Sequence, residues 1–156
     1  MADMIPSRMG TAIHDGVEKA WTHNYKRAMK DLGYPEHIID RILVNPKPEE
    51  LKPDTIPVYM EIRSTRELNG HKISGKFDFI GNGQLEDFKS TSTYTWVKDT
   101  KDEDYVLQGS MYRWLNPELV TRDTMTIQFF FTDWSAMMRN TPNYPERRTM
   151  SRKFNL

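Results

Sequence analysis

The chain has 156 residues, with 22 Lys+Arg balanced by 22 Asp+Glu, so its overall field does not advertise a nucleic-acid partner and any such affinity must come from local patches. It has no cysteine, which excludes disulfides, thiolate nucleophiles, cysteine-based zinc sites and an iron-sulfur cluster held by this chain. The histidines, His14, His23, His37 and His71, lack HExxH spacing, no apolar run reaches membrane-spanning length, and no signal-peptide pattern opens the chain. One soluble, cytoplasmic domain over 1–156 is expected.

The first expected element is a helix over 8–31, capped by Ser7, with Ile13, Val17, Ala20 and Ala28 as an approximate apolar stripe. An adjoining stripe carries Gly10, His14, Glu18, Trp21 and Tyr25, which sets His14 and Glu18 one turn apart. A glycine four residues before His14 leaves room for a close approach. Pro35 is expected to start a short helix running through Leu43, closed off by the prolines between 46 and 57.

Three strands follow, over 58–68, 72–80 and 84–90, joined by Asn69-Gly70 and Asn82-Gly83 turns. Two-residue turns make facing positions sum to a constant. Asp78 therefore opposes Asp87, Glu61 opposes Asp78, and Arg63 opposes Lys76, while Phe77, Phe79 and Phe88 share the other, core-like face. Opposed carboxylates about 5 Å apart destabilise a strand pair, and a bound cation is the simplest compensation. The acidic row Glu61, Asp78, Asp87 suits magnesium, and the basic row Arg63, Lys76, Lys89 suits a substrate phosphate. A three-residue loop would slip the register and present Glu86 instead of Asp87. An ordinary solvated hairpin with alternating charges is the bland alternative.

Residues 90–95 read as a Ser/Thr-rich loop beside Lys89. A second helix is expected from Thr100, with Thr100 and Glu103 as a capping box, to just before Pro117; Leu107, Met111, Trp114 and Leu115 form its core face and Gln108 and Tyr112 flank it. A strand over 125–132 holds Ile127, Phe129, Phe130 and Phe131, a run expected to be buried on both faces. Residues 133–156 read as an extended tail.

The order is helix, three antiparallel strands, helix, strand: an α/β (α+β) domain with a mixed central sheet flanked by helices. In Gly10-x-x-x-His14-x-x-x-Glu18, Gly75-x-x-Asp78, Asp87-x-Lys89 and Gln108-x-x-x-Tyr112 the chain resembles the PD-(D/E)XK nuclease superfamily and its αβββαβ restriction-endonuclease-like core. The likeness is greatest to RecB-like and phage-encoded exonucleases and covers about residues 8–132. The resemblance implies a deoxyribonuclease that uses one or two Mg2+ or Mn2+ ions, serving phage or bacterial recombination, repair or replication. By the same resemblance His14, Asp78, Asp87 and the Phe88 carbonyl hold the metal, and Lys89 orients water and stabilises phosphate charge. Glu18 and Glu61 are supporting acids, and Gln108 and Tyr112 contact DNA, single-stranded or at duplex ends. Recombination or replication proteins would be its partners, in the cytoplasm of a bacterium or infected host.

Two features depart from the family. Phe77 stands where the naming proline would precede Asp78, and the absence of cysteine disfavours the iron-sulfur members. The chain reads as a minimal phage nuclease or a fragment of a longer protein. The competing class is a non-catalytic nucleic-acid-binding or assembly module that keeps the fold; against it, every motif position holds a chemically competent residue. A sequence-specific restriction enzyme would need a base-reading region for which the chain has little length.

Overall fold

The computed structural model describes residues 4–156, with side chains from residue 8 onward. Helix α1 (Met4–Lys19) runs into a wide π turn (Ala20–Asn24) and then α2 (Tyr25–Asp31). Ser7 thus lies within the helix, not before it, and its side chain is outside the described residues. Trp21, Tyr25 and Met29, four residues apart, pack against Ile42, Val58, Met60 and Phe79. A row of fours drifts about 40° per step around a regular α-helix, and the π turn takes back part of that drift. The expected stripe was misplaced, since Ala20 and Ala28 are exposed.

Pro35 does start a helix, but α3 (Glu36–Ile39) stops early, and the residues up to Leu43 enter β1 (Ile42–Val44) instead. The following strands are β2 (Ile56–Met60), β3 (Arg63–Leu68), β4 (His71–Lys76), β5 (Phe79–Gly81) and β6 (Gln84–Thr91). Then come α4 (Thr93–Lys98), α5 (Asp102–Leu115), β7 (Thr124–Phe131) and β8 (Thr149–Asn155). A mixed six-stranded sheet has the order β1-β2-β5-β6-β7-β8, with β1/β2 and β6/β7 parallel and the other pairs antiparallel. The hairpin β3–β4 forms a separate two-stranded sheet.

Each of the first two expected strands is therefore split in two. Both registers nevertheless hold. Arg63 pairs with Lys76, Met60 with Phe79, and the Glu61 N–H donates to the Asp78 carbonyl between them. Phe79 pairs with Glu86 across the tight Asn82-Gly83 turn, where both residues have positive φ (48° and 82°), as a two-residue hairpin of this hand requires. The split falls at Glu61, whose φ of 53° lies in the left-handed region that a residue with a Cβ adopts only at a cost.

The break separates the three phenylalanines expected on one face. Phe79 and Phe88 belong to the cluster under α2, whereas Phe77 is fully buried on the opposite side with Leu85, Ile127, Phe129 and Tyr105. Residues 90–95 are not a loop, because β6 continues to Thr91 and α4 begins at Thr93. The Thr100/Glu103 capping box is also absent. Helix α5 starts at Asp102 with no side-chain cap, its first turn carrying Asp102, Glu103 and Asp104 against the helix dipole.

The buried face of α5 is Tyr105, Gly109 and Leu115, with Tyr112 half-buried, while Leu107 and Met111, expected in the core, are exposed. Along β7, Met125, Ile127, Phe129 and Phe131 are buried and alternate with half-buried residues, so only one face is closed. The expected tail carries β8, paired with β7 from Thr124 to Phe130, with Phe154 in the core. No described helix is long and apolar enough to cross a membrane.

Candidate metal centre

The site forms where the sheet splits. Strand β6 pairs with β5 only through Glu86, and beyond it the hairpin has peeled away, so the edge of β6 from Asp87 onward lacks a strand partner. Side chains fill the gap. The Asp78 carboxylate takes the place of a strand by accepting from the Phe88 N–H at 2.9 Å. In an extended strand the N–H and C=O of one residue face the same edge, so the Phe88 carbonyl looks toward Asp78 as well.

Helix α1 closes the gap from the other side. At Gly10 a Cβ would stand 3.1 Å from Ser90 Oγ, so the glycine is what lets the helix lie against β6. One turn on, His14 Nδ1 is 3.2 Å from Glu61 Oε1 and 3.4 Å from Asp78 Oδ1. His14, Glu61 and Asp78 each offer a ligand atom within 4.8 Å of the others. They come from a helix, a kinked junction and a strand break. They border a cleft of about 460 Å³ whose rim includes Glu18, Lys76 and Ser90.

Asp87 approaches from the α5 face. It is 3 % exposed, and its Oδ2 lies 2.8 Å from Lys89 Nζ as an ion pair while having no aligned hydrogen-bond donor among the described residues. Lys89 Nζ also donates to Gln108 Oε1 at 2.9 Å, and Gln108 Nε2 donates to the Tyr112 hydroxyl at 3.2 Å. The Gln-x-x-x-Tyr pair on α5 thus fixes the lysine. Tyr112 itself packs against Gly75, where a Cβ would come within 3.0 Å of its ring, and burial pushes its phenol pKa up.

Electrostatically the cluster is over-supplied with acid. Burial, then a hydrogen bond and the charge of Asp87, push the Asp78 carboxyl up to about 8, with Glu61 adding to the effect and the Phe88 N–H opposing it. Without a cation the Asp78/Asp87 pair is therefore biased toward keeping one proton between its two carboxyls. Lys76 Nζ, 3.0 Å from Glu61 Oε2, and Lys89 supply cations on opposite flanks.

Of the residues expected in the metal site, His14 and Asp78 converge directly and Glu61 joins them as a full member. Asp87 reaches the group through Asp78 and is not one of the three within 4.8 Å, and Glu18 stands on the cleft wall. Glu86, the substitute in a slipped register, is paired with Phe79 and Thr126 and has its carboxyl pushed up by burial. The cross-strand register carried the signal for Glu61 and Lys76. Ser90, expected at the start of a loop beside Lys89, lines the cleft from the end of β6, and nothing in the chain announced the cleft position of Asp15.

No protein-family model, no curated protein and no solved structure matches this chain.

Proposed function

We propose that the protein is a divalent-metal-dependent nuclease of the PD-(D/E)XK type, hydrolysing DNA phosphodiester bonds as an exonuclease in recombination, repair or replication. The observation that carries this reading is the convergence of His14, Glu61 and Asp78 on one point, with the ion pair Asp87–Lys89 in register beside it. The donor set fits Mg2+ or Mn2+. Hard carboxylate oxygens dominate it, one imidazole completes it, and a carboxyl protonated near pH 8 signals a place where positive charge is wanted. Asp78, Glu61 and His14 would hold the ion, with Asp87 and the Phe88 carbonyl as further oxygen donors nearby; when bound, the ion would supply positive charge against the phosphate and the leaving oxygen.

The chain's own groups do the rest. Lys89, held between Asp87 and Gln108, keeps its ammonium beside the acidic cluster, where it would stabilise charge as it develops on the phosphoryl oxygens. Lys76 offsets the charge of Glu61 and gives a second cation at the cleft rim. Because both cations are fixed by neighbours before substrate arrives, little reorganisation is needed at the moment of reaction.

The test is a gel assay with end-labelled linear and circular DNA in Mg2+, Mn2+ or EDTA. Linear DNA should be degraded with either metal and remain intact in EDTA, while closed circles survive. A folded protein that cuts nothing with either metal refutes the reading and favours a non-catalytic nucleic-acid-binding module.

A further inference from the structure

The β3–β4 hairpin has two unlike faces. Ser64 and Gly75 turn toward α5: Ser64 Oγ donates to Asn116 Oδ1, Gly75 lies under Tyr112 and Leu115, and Arg66 donates to the Trp114 carbonyl and stacks over its ring. The other face presents the directly opposed pairs Arg63/Lys76, Thr65/Ser74 and Glu67/Lys72, and all six residues are exposed. Lys76 is already paired with Glu61 at 3.0 Å, whereas Arg63 and Lys72 have no carboxylate within ion-pair distance among the described residues, so these two are the cations of the row open to an anion. With a rise of about 3.3 Å per residue the row runs about 20 Å outward from Glu61 to Glu67.

Beside this row a cleft of about 350 Å³ opens between hairpin and α5, lined by Ser74, Gly75, Gln108, Tyr112, the apolar side chains of Leu107 and Met111, and one acid, Asp104, at its α5 end. Those two are 63 % and 40 % exposed on a helix whose neighbouring face is core. Gln108 bounds the cleft and also binds Lys89, so the cleft opens directly beside the metal centre.

We propose that hairpin and cleft together guide one single nucleic-acid strand to the metal centre, with phosphates along Arg63, Thr65 and Lys72 and unpaired bases turned onto Leu107 and Met111. This rests on the nuclease reading of the adjacent cluster. A two-stranded ribbon can enter the major groove of a duplex, but this one has a face covered by α5 and offers only a surface for a strand to lie along. Base stacking on apolar and aromatic side chains requires unpaired bases, which selects a single strand.

The experiment measures binding of a fluorescent 12-nucleotide oligothymidylate and of a 12-base-pair duplex across a salt series, with EDTA present to stop cleavage. The parent should bind the single strand more tightly than the duplex. Arg63→Ala combined with Lys72→Ala should weaken that binding about tenfold and flatten the salt dependence by about 1.4, two phosphate contacts at about 0.7 each. Arg63→Lys should keep the parent slope, and Leu107→Ser should weaken binding with the slope unchanged. An unchanged slope in the double variant, or tighter binding of the duplex by the parent, overturns the proposal. A protein that binds the single strand through Arg63 and Lys72 yet cuts nothing with Mg2+ or Mn2+ refutes the nuclease reading alone and leaves the guide standing.

Discussion

Replacing Asp78 by Asn should make the metal-free protein more stable while removing its chemistry. A carboxyl that ionises near 8 when folded and near 3.8 when unfolded favours the protonated native state. Its contribution is complete below pH 3.8 and is lost progressively as pH rises to about 8, because unfolding then releases a proton. At 1.36 kcal/mol per pH unit the loss reaches about 4 kcal/mol at pH 7, and coupling to Asp87 brings the expected figure to about 2–4 kcal/mol. Asparagine never ionises, and its amide can still donate toward Asp87. In EDTA at pH 7.5, Asp78→Asn should therefore melt roughly 5–15 °C above the parent, with the gap shrinking as pH falls toward 4. Calorimetric or fluorescence melts from pH 4 to 8 read this directly. A variant melting at or below the parent throughout, or a gap independent of pH, refutes the reasoning that the opposed carboxylates share a proton.

Metal should reverse that balance: Mg2+ or Mn2+ at a hundredfold excess over Kd stabilises the parent by about 2.7 kcal/mol, and Glu61→Gln or His14→Ala should lose most of the resulting shift in a melting titration. Lys89→Ala should lower the single-turnover cleavage rate by about 10²–10³ while leaving DNA affinity in EDTA near that of the parent; equal losses in both would make Lys89 a binding residue. Gly75→Val forces side-chain atoms into Tyr112 and Leu115 and should cost about 1–3 kcal/mol in a denaturant melt, with parental stability arguing against that packing. Tyr112→Ala should lower the melting temperature and weaken binding of a single-stranded oligonucleotide together, and normal DNA binding with early melting would assign the residue to packing alone.

The register of the central hairpins was legible in the sequence because Asn-Gly turns leave little choice of loop length: Arg63 pairs with Lys76, and the second ladder keeps the expected sum but ends at Phe79 and Glu86, one step short of Asp78 and Asp87. The acidic and basic rows expected from that register do not run on across the split: Glu61 and Asp78 meet His14, while Asp87 pairs with Lys89 apart from Lys76. What escaped were the interruptions. Glu61 adopts positive φ without being glycine or asparagine, and a π turn leaves no compositional mark, so neither the splitting of the strands nor the rotation of Trp21, Tyr25 and Met29 onto the core could be anticipated. The α5 face was misjudged for another reason. Leu107 and Met111 outrank Tyr105 and Gly109 in hydrophobicity, but the close approach allowed by Gly109, where a Cβ would come within 2.7 Å of Leu156, turns the helix the other way. Strand β8 hid in a segment rich in Arg, Asn and Pro because an edge strand needs only one apolar face, here Met150 and Phe154.

On the proposed nuclease reading, the left-handed backbone at Glu61 sets stability against activity. Glycine would sit there without strain and would also remove one of the two carboxylates that crowd His14, two gains in robustness from a single change. Selection for thermal tolerance alone would therefore be expected to recover Glu61→Gly early and to deliver a hardier, inert protein. Engineering for heat resistance should hold this position fixed and draw its gains from the exposed helix faces of α2 and the outer turns.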